Sequence, residues 1–183
     1  MGLMKTKPKL FVASRIQADD VLLRFPNSIP VITLRGPRDP SLKEPRLAKL
    51  HLEVLVDDIQ EPLDGCILPS RKQALAILDA WKRCCGQGSK VVMLHCEAGI
   101  SRSTAAALGL HYLGSSNPTT GVAVAAQKLF AVNQFGHPNK LLLEMLLCTQ
   151  YDPGQARVIS AQLIAAYQAL QNAENNENGT LCD

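Results

Sequence analysis

The sequence predicts a three-layer α/β domain in which a central twisted mixed sheet is flanked by helices. Three observations predict it. Short β-branched apolar runs alternate with longer stretches of helical spacing, the order of elements that a layered α/β fold requires. One such run, Val91 to Leu94, is apolar throughout and bounded by turn residues, the mark of a strand buried on both faces. A chain of 183 residues with 46% apolar composition fits one ordinary core. A single domain over 1–171 is therefore expected, with a flexible tail over 172–183, where Asn, Glu and Gly leave little apolar surface to bury.

Each element has its own signal. Leu10 to Ser14 reads as a short strand, Asp19 to Phe25 as one or two helical turns, and Val31 to Leu34 as a buried strand between Pro30 and Gly36-Pro37. Gly36 to Pro45, with several charges and repeated prolines, is a surface loop. Leu50, Leu52, Val54 and Val56 alternate with His51 and Glu53, which gives a strand with one strongly apolar face, ending in Asp57-Asp58. After a loop over Gln60 to Pro69, Ser70 caps a helix whose apolar positions Ala74, Leu75, Leu78 and Trp81 recur at helical spacing until Gly86. Beyond the strand Val91 to Leu94, Ser103 to Leu113 is rich in Ala and Leu and stops at Gly114, so it is helical. Further helices are expected over Thr120 to Val132, over Pro138 to Thr149, and after Pro153-Gly154, where Ile159, Leu163, Ala166 and Leu170 share one face.

Composition narrows the function. The formal charge of +3 is small, and Lys and Arg are scattered, so nucleic acid is a poor partner. No apolar run approaches the roughly 18 residues of a membrane helix, and none near the start makes a secretion signal, so a cytoplasmic protein without a membrane partner is expected. The six cysteines show no even framework and no CxxC pair, so reduced thiols and no zinc site are expected. His51, His111 and His137 lie apart without a carboxylate cluster, so no metal is assigned. Met1-Gly2 with Thr6 fits a permissive acylation pattern, and Asn178-Gly179-Thr180 a glycosylation pattern without meaning in a protein that is not secreted.

The informative segment is His95-Cys96-Glu97-Ala98-Gly99-Ile100-Ser101-Arg102-Ser103, between a buried strand and a helix. A loop entering a helix N-terminus offers unpaired amides and the positive end of the helix dipole, which together bind anions. Gly99 lets the loop curl so that the amides of Glu97, Ala98, Gly99, Ile100 and Ser101 point at one phosphate or sulfate ion. In such a field the pKa of Cys96 is expected to fall from roughly 8.5 to about 3.5–7.5, leaving a nucleophilic thiolate. Arg102 is placed to hold two phosphate oxygens in bidentate fashion. His95 is expected to orient the cysteine rather than act as base, and Ser103 to donate to the sulfur when it leaves. Glu97 is a rim charge whose default reading is a solvated side chain.

His95-Cys96, five residues, then Arg102-Ser103 resembles the signature of the protein tyrosine phosphatases, and looks most like the compact dual-specificity branch, particularly its small bacterial members. The resemblance runs from Leu50 to about Leu147. It implies a phosphocysteine intermediate, no cofactor, a phosphoprotein or phosphopeptide substrate and a monomer. It also implies a general-acid aspartate some thirty to forty residues before the cysteine, for which Asp58 is the choice, with Asp57 and then Asp64 as alternatives. His137-Pro138-Asn139 resembles the opening of the family's last common helix, whereas Asn133-Gln134 stand where Arg-Pro is expected. The competing readings are a silent phosphate-binding module and a rhodanese-like sulfurtransferase, which also uses a cysteine loop.

Overall fold

A computed structural model describes residues 8–115 and 117–179 of the chain. Its elements run β1 (Lys9–Ser14), α1 (Arg15–Arg24), β2 (Pro30–Arg35), β3 (Leu50–Leu55), α2 (Arg71–Cys85), β4 (Val91–Cys96), α3 (Arg102–Leu113), α4 (Pro118–Phe130), α5 (Lys140–Leu147) and α6 (Pro153–Gly179). The strands form one sheet in the order β1-β4-β2-β3. Every pairing in it is parallel, so the expected mixed sheet is corrected. The reason lies in the connections: α1 and α2 carry the chain back along the sheet, and between β2 and β3 the loop with its 3-10 turn Pro45–Leu47 does the same.

The two sheet faces bury different sets. Leu10, Val12, Ile32, Leu34, Val92 and Leu94 face the core shared with α2 to α6. Ala13, Val31 and Met93 face the smaller core with Ala18 and Leu22 of α1. This is the period-two alternation of a sheet covered on both sides, in which β4 and β2 are the two interior strands. Met93 and Leu94 are wholly buried, each worth about 1.5–3 kcal/mol.

Helix α1 starts four residues before the expected Asp19, because Ser14 and Gln17 form a reciprocal capping box. Strand β4 extends to Cys96, whose partner across the ladder is Ser14. A tail is expected from 172, whereas α6 continues to Gly179. Just before this continuation, Gln171 Nε2 donates to the carbonyls of Gln134 at 2.7 Å and Gly136 at 3.0 Å. Met1, Gly2, Thr6, Thr180 and Cys182 lie outside the described residues. Among those residues no helix is long and apolar enough to cross a membrane.

Candidate active site

The segment after β4 folds as a cradle because the carbonyls of Glu97, Gly99, Ile100 and Ser101 find partners on the elements around it. Arg15 N–H donates to the Glu97 carbonyl at 3.1 Å, His137 N–H to that of Ile100 at 2.8 Å, and Asn139 N–H to that of Ser101 at 3.3 Å. The Gly99 carbonyl accepts from Asn133 Nδ2 at 3.0 Å. Gly99 has φ +72°, and a Cβ there would stand 2.6 Å from the amide nitrogen of Ser14, so only glycine fits. With the carbonyls turned out, the amides turn in, and among the described residues none of the N–H groups of 97–101 donates to the protein. Unpaired donors converging above a helix N-terminus form an anion site.

Cys96 ends β4 at the base of this cradle, 2% exposed, with its Sγ 3.1 Å from the Ser103 hydroxyl. Arg102 opens α3 and is likewise buried. Its Nη1 donates to Asp39 Oδ2 at 2.6 Å and to the Val56 carbonyl at 3.0 Å. One edge of the guanidinium is thus anchored, while its buried Nε has no partner. A buried orphan donor at the first residue of α3 is an unmet demand for an acceptor.

Asp39 was not among the residues singled out from sequence. It sits in the proline-containing loop after β2, where its Oδ2 also accepts from the Gly36 amide at 2.9 Å. Burial works to raise its pKa, but the Gly36 amide, the Arg102 guanidinium and Arg35 together hold it below the usual carboxylate value. Nothing in the sequence distinguishes it from Glu44, the other acid of that proline-containing loop.

The two candidate acids at the end of β3 are separated by their partners. Asp58 is exposed and turned to the cradle, its Oδ1 accepting from Ser101 Oγ at 2.6 Å and from Asn139 Nδ2 at 2.8 Å. Asp57 is instead engaged with the backbone of Ile67, accepting its N–H at 2.6 Å. Asp64 lies in an exposed turn. Asn139 holds Asp58 while its own Oδ1 caps α5 through the Leu142 amide.

His95 is buried on the α1 side of the sheet. Its Nε2 meets the Thr33 hydroxyl at 2.7 Å, and that hydroxyl meets His51 Nε2 at 2.8 Å. Burial pushes the His95 pKa down to about 4, so the ring is neutral and suits a positioning role. Glu97 is tied back by Arg15 at 3.0 Å, and Ala98 and Ile100 add no charge, so Arg102 is the one cation among the cradle residues 97–102.

No family model matches the chain, and no curated protein does. Solved structures do. Human DUSP28 aligns over 90% of this chain and 91% of its own, with TM-score 0.52 and 21% identity. DUSP15 aligns over 85% and 90%, with TM-score 0.56 and 21% identity. The PTP-2 phosphatase of Cydia pomonella aligns over 75% and 83%, with TM-score 0.52 and 21% identity. The chain has the fold of the dual-specificity phosphatases.

Within this phosphatase-like fold the remaining cysteines stand apart from the cradle. None of the five described cysteines forms a disulfide. Cys84, buried under α2, has its thiol pushed up by burial to about 11, the opposite of what a nucleophile needs. His51 belongs to the Thr33 chain, and His111 lies at the other end of α3.

Proposed function

We propose that the protein is a phosphatase that hydrolyses phosphate monoesters, foremost phosphotyrosine and also phosphoserine and phosphothreonine in proteins, through a phosphocysteine intermediate. One observation carries this reading: in the stretch that joins Cys96 to Arg102, none of the N–H groups of 97–101 donates to the described residues, and the buried Nε of Arg102 has no partner. That set of donors stabilises three phosphoryl oxygens as charge spreads over them in the transition state.

In the first step Cys96, as thiolate, attacks phosphorus in line, forming the S–P bond as the ester P–O bond breaks. Asp58 gives its proton to the leaving oxygen. Its position beside Ser101 and Asn139 keeps it at the cradle mouth, where a leaving group departs. In the second step Asp58, now a carboxylate, takes a proton from water, which attacks phosphorus, and the sulfur leaves with the Ser103 hydroxyl as donor. No step is routed through a metal, because the amides and Arg102 supply the charge stabilisation.

A cradle whose one cation is Arg102 favours a substrate with a single phosphate. A headgroup with several phosphates would find no lysine in the loop, and Glu97 at the rim would repel it.

The test is turnover of p-nitrophenyl phosphate, phosphotyrosine and phosphothreonine peptides, and a phosphoinositide, all with EDTA present. The wild type should hydrolyse the aryl phosphate and the tyrosine peptide best, and vanadate or thiol oxidation should stop it. Cys96→Ser should bind phosphate without turnover. Asp58→Ala should slow esters of poor leaving groups far more than p-nitrophenyl phosphate; equal rates would move the acid elsewhere. Full activity of Cys96→Ser would overturn the mechanism.

A further inference from the structure

We infer that Thr33 and His51 are positioning residues of the reacting centre, forming with His95 a chain of three side chains that fixes which nitrogen of His95 carries the proton. The inference rests on the proposed reading of Cys96 as the nucleophile. The three residues come from three strands. Thr33 of β2 is the register partner of His95 on β4, and His51 stands opposite Val31 on β3, the edge strand. Val31 and Thr33 are two apart, as are Met93 and His95, so the period of two puts all three polar residues on the face that α1 covers. The chain thus runs from a half-buried ring at the sheet edge to the residue before Cys96.

Proton supply restricts this chain to two arrangements. Thr33 Oγ1 lies 2.8 Å from His51 Nε2 and 2.7 Å from His95 Nε2, so both contacts are hydrogen bonds. A hydroxyl has one proton, and the buried Thr33 side chain makes no third bond among the described residues. It therefore donates to one ring and accepts an N–H from the other. Burial lowers the pKa of both rings, while the charges around each oppose one another: Glu53 against Arg35 about His51, Asp19 against Arg15 and His51 about His95. Both rings are neutral at neutral pH, with one N–H each. Either His51 donates to Thr33 and Thr33 to His95, which puts the His95 proton on Nδ1, or the direction is reversed and that proton sits on Nε2.

Cys96 decides between them. His95 Nδ1 is buried and makes no full hydrogen bond, so in the reversed arrangement it would be a bare lone pair without a donor. The adjoining Cys96 backbone works to raise the pKa of the ring, as a carbonyl does when it accepts from a ring N–H. Only the forward arrangement answers that carbonyl. Donation then runs from His51 through Thr33 and His95 to the backbone of the residue that carries the sulfur, and each bond orients the next. A proton added to His51 leaves this order in place, because an imidazolium still donates from Nε2.

Nitrogen NMR of the four histidines reads the tautomers, with assignment by single substitution. In the wild type the proton should be found on Nδ1 of His95 and on Nε2 of His51. Thr33→Val, of similar shape but without the hydroxyl, should free His51 to take a mixture of tautomers. It should also lower kcat on p-nitrophenyl phosphate about three- to ten-fold, the worth of one hydrogen bond, with KM unchanged. Thr33→Ser should restore both readouts. At the half-buried position His51→Leu should lower kcat by a similar factor, and His51→Gln, whose amide nitrogen stands where Nε2 stood, should keep it; urea midpoints check that each variant folds. The proposal is overturned if His95 carries its proton on Nε2, if Thr33→Ser and Thr33→Val are equally impaired, or if His51→Leu and His51→Gln act alike. A wild type without turnover would overturn the phosphatase reading instead, and the ring spectra would still decide which arrangement the chain adopts.

Discussion

Asp39 is the residue whose role the structure makes most measurable. Its carboxylate meets Arg102 Nη1 at 2.6 Å, with the arginine side chain 6% exposed and the aspartate 28%. Breaking a fully buried ion pair by removing one partner costs about 3–5 kcal/mol, because the other charge is left without compensation. Here the cost is smaller, since Arg102 keeps the Val56 carbonyl and water reaches Asp39. Asp39→Ala should therefore lose about 2 kcal/mol of stability, or about 4–8 °C in Tm for a chain of this size. The assay is urea unfolding of wild type, Asp39→Ala, Arg102→Met and the double variant, without added anion. In the Arg102→Met background Asp39→Ala should cost about 1 kcal/mol, the worth of the Gly36 amide bond that remains, giving a coupling of about 1 kcal/mol.

The pH dependence adds a second check. The folded pKa of Asp39 is lowered from its ordinary 3.8. A depressed carboxylate contributes stability that is present above the unfolded value and is lost as pH falls through the folded one. The gap between wild type and Asp39→Ala should thus be full at neutral pH and shrink below pH 3.8. Additive energies in the cycle, or a gap that persists in acid, would refute the reasoning.

Three further outcomes are expected. Gly99→Ala would place a methyl group 2.6 Å from Ser14 N and 2.7 Å from the Ala13 carbonyl carbon at φ +72°, both backbone atoms that cannot swing away. Left-handed strain and overpacking together should lower stability by about 3 kcal/mol, read as a fall in the urea midpoint. Tyr167→Phe removes a hydroxyl that donates to the Asn133 carbonyl and accepts from the Gly136 amide at 3.0 Å, so thermal unfolding should show a loss of about 2 kcal/mol. His95 and His111 have folded pKa values of about 4 against an ordinary 6.5, set by burial in both cases. Protons then bind the unfolded chain first, so stability should fall as pH drops from 6.5 towards 4, by about 3 kcal/mol for each ring, as urea midpoints would record.

The sequence showed most clearly what is contiguous in it. Cys96, Gly99, Arg102 and Ser103 fall within one stretch from the end of β4 to the start of α3, so strand, curl and helix N-terminus were readable together. The choice between Asp57 and Asp58 was not, because neighbouring side chains at a strand end point opposite ways and their order depends on a partner ten residues on, Ile67. A mixed sheet was expected where every pairing is parallel, and the proline-containing loop between β2 and β3 has no helical periodicity to mark it as a crossover. The course of α6 beyond 171 has only polar and small residues, so no apolar stripe marks it in the sequence.

What remained illegible is long-range by nature, and it bears on the state of the cradle before any ligand arrives. Arg102 and Asp39 are 63 residues apart, and Asp58 and Asn139 are 81 apart. Arg15 reaches Glu97 across 82. Each of these contacts fixes one wall of the same loop from a different element: β2's loop sets the guanidinium edge, α5's cap sets Asp58, and α1's first residue sets the rim. Held from outside in this way, the inward amides need no rearrangement when an anion enters. Donors fixed in advance cost no reorganisation at the moment charge develops, which is where such a site exceeds water as a solvent. Loosening any one anchor should therefore act more on kcat than on KM, since a flexible loop still binds phosphate but no longer favours the transition state over it.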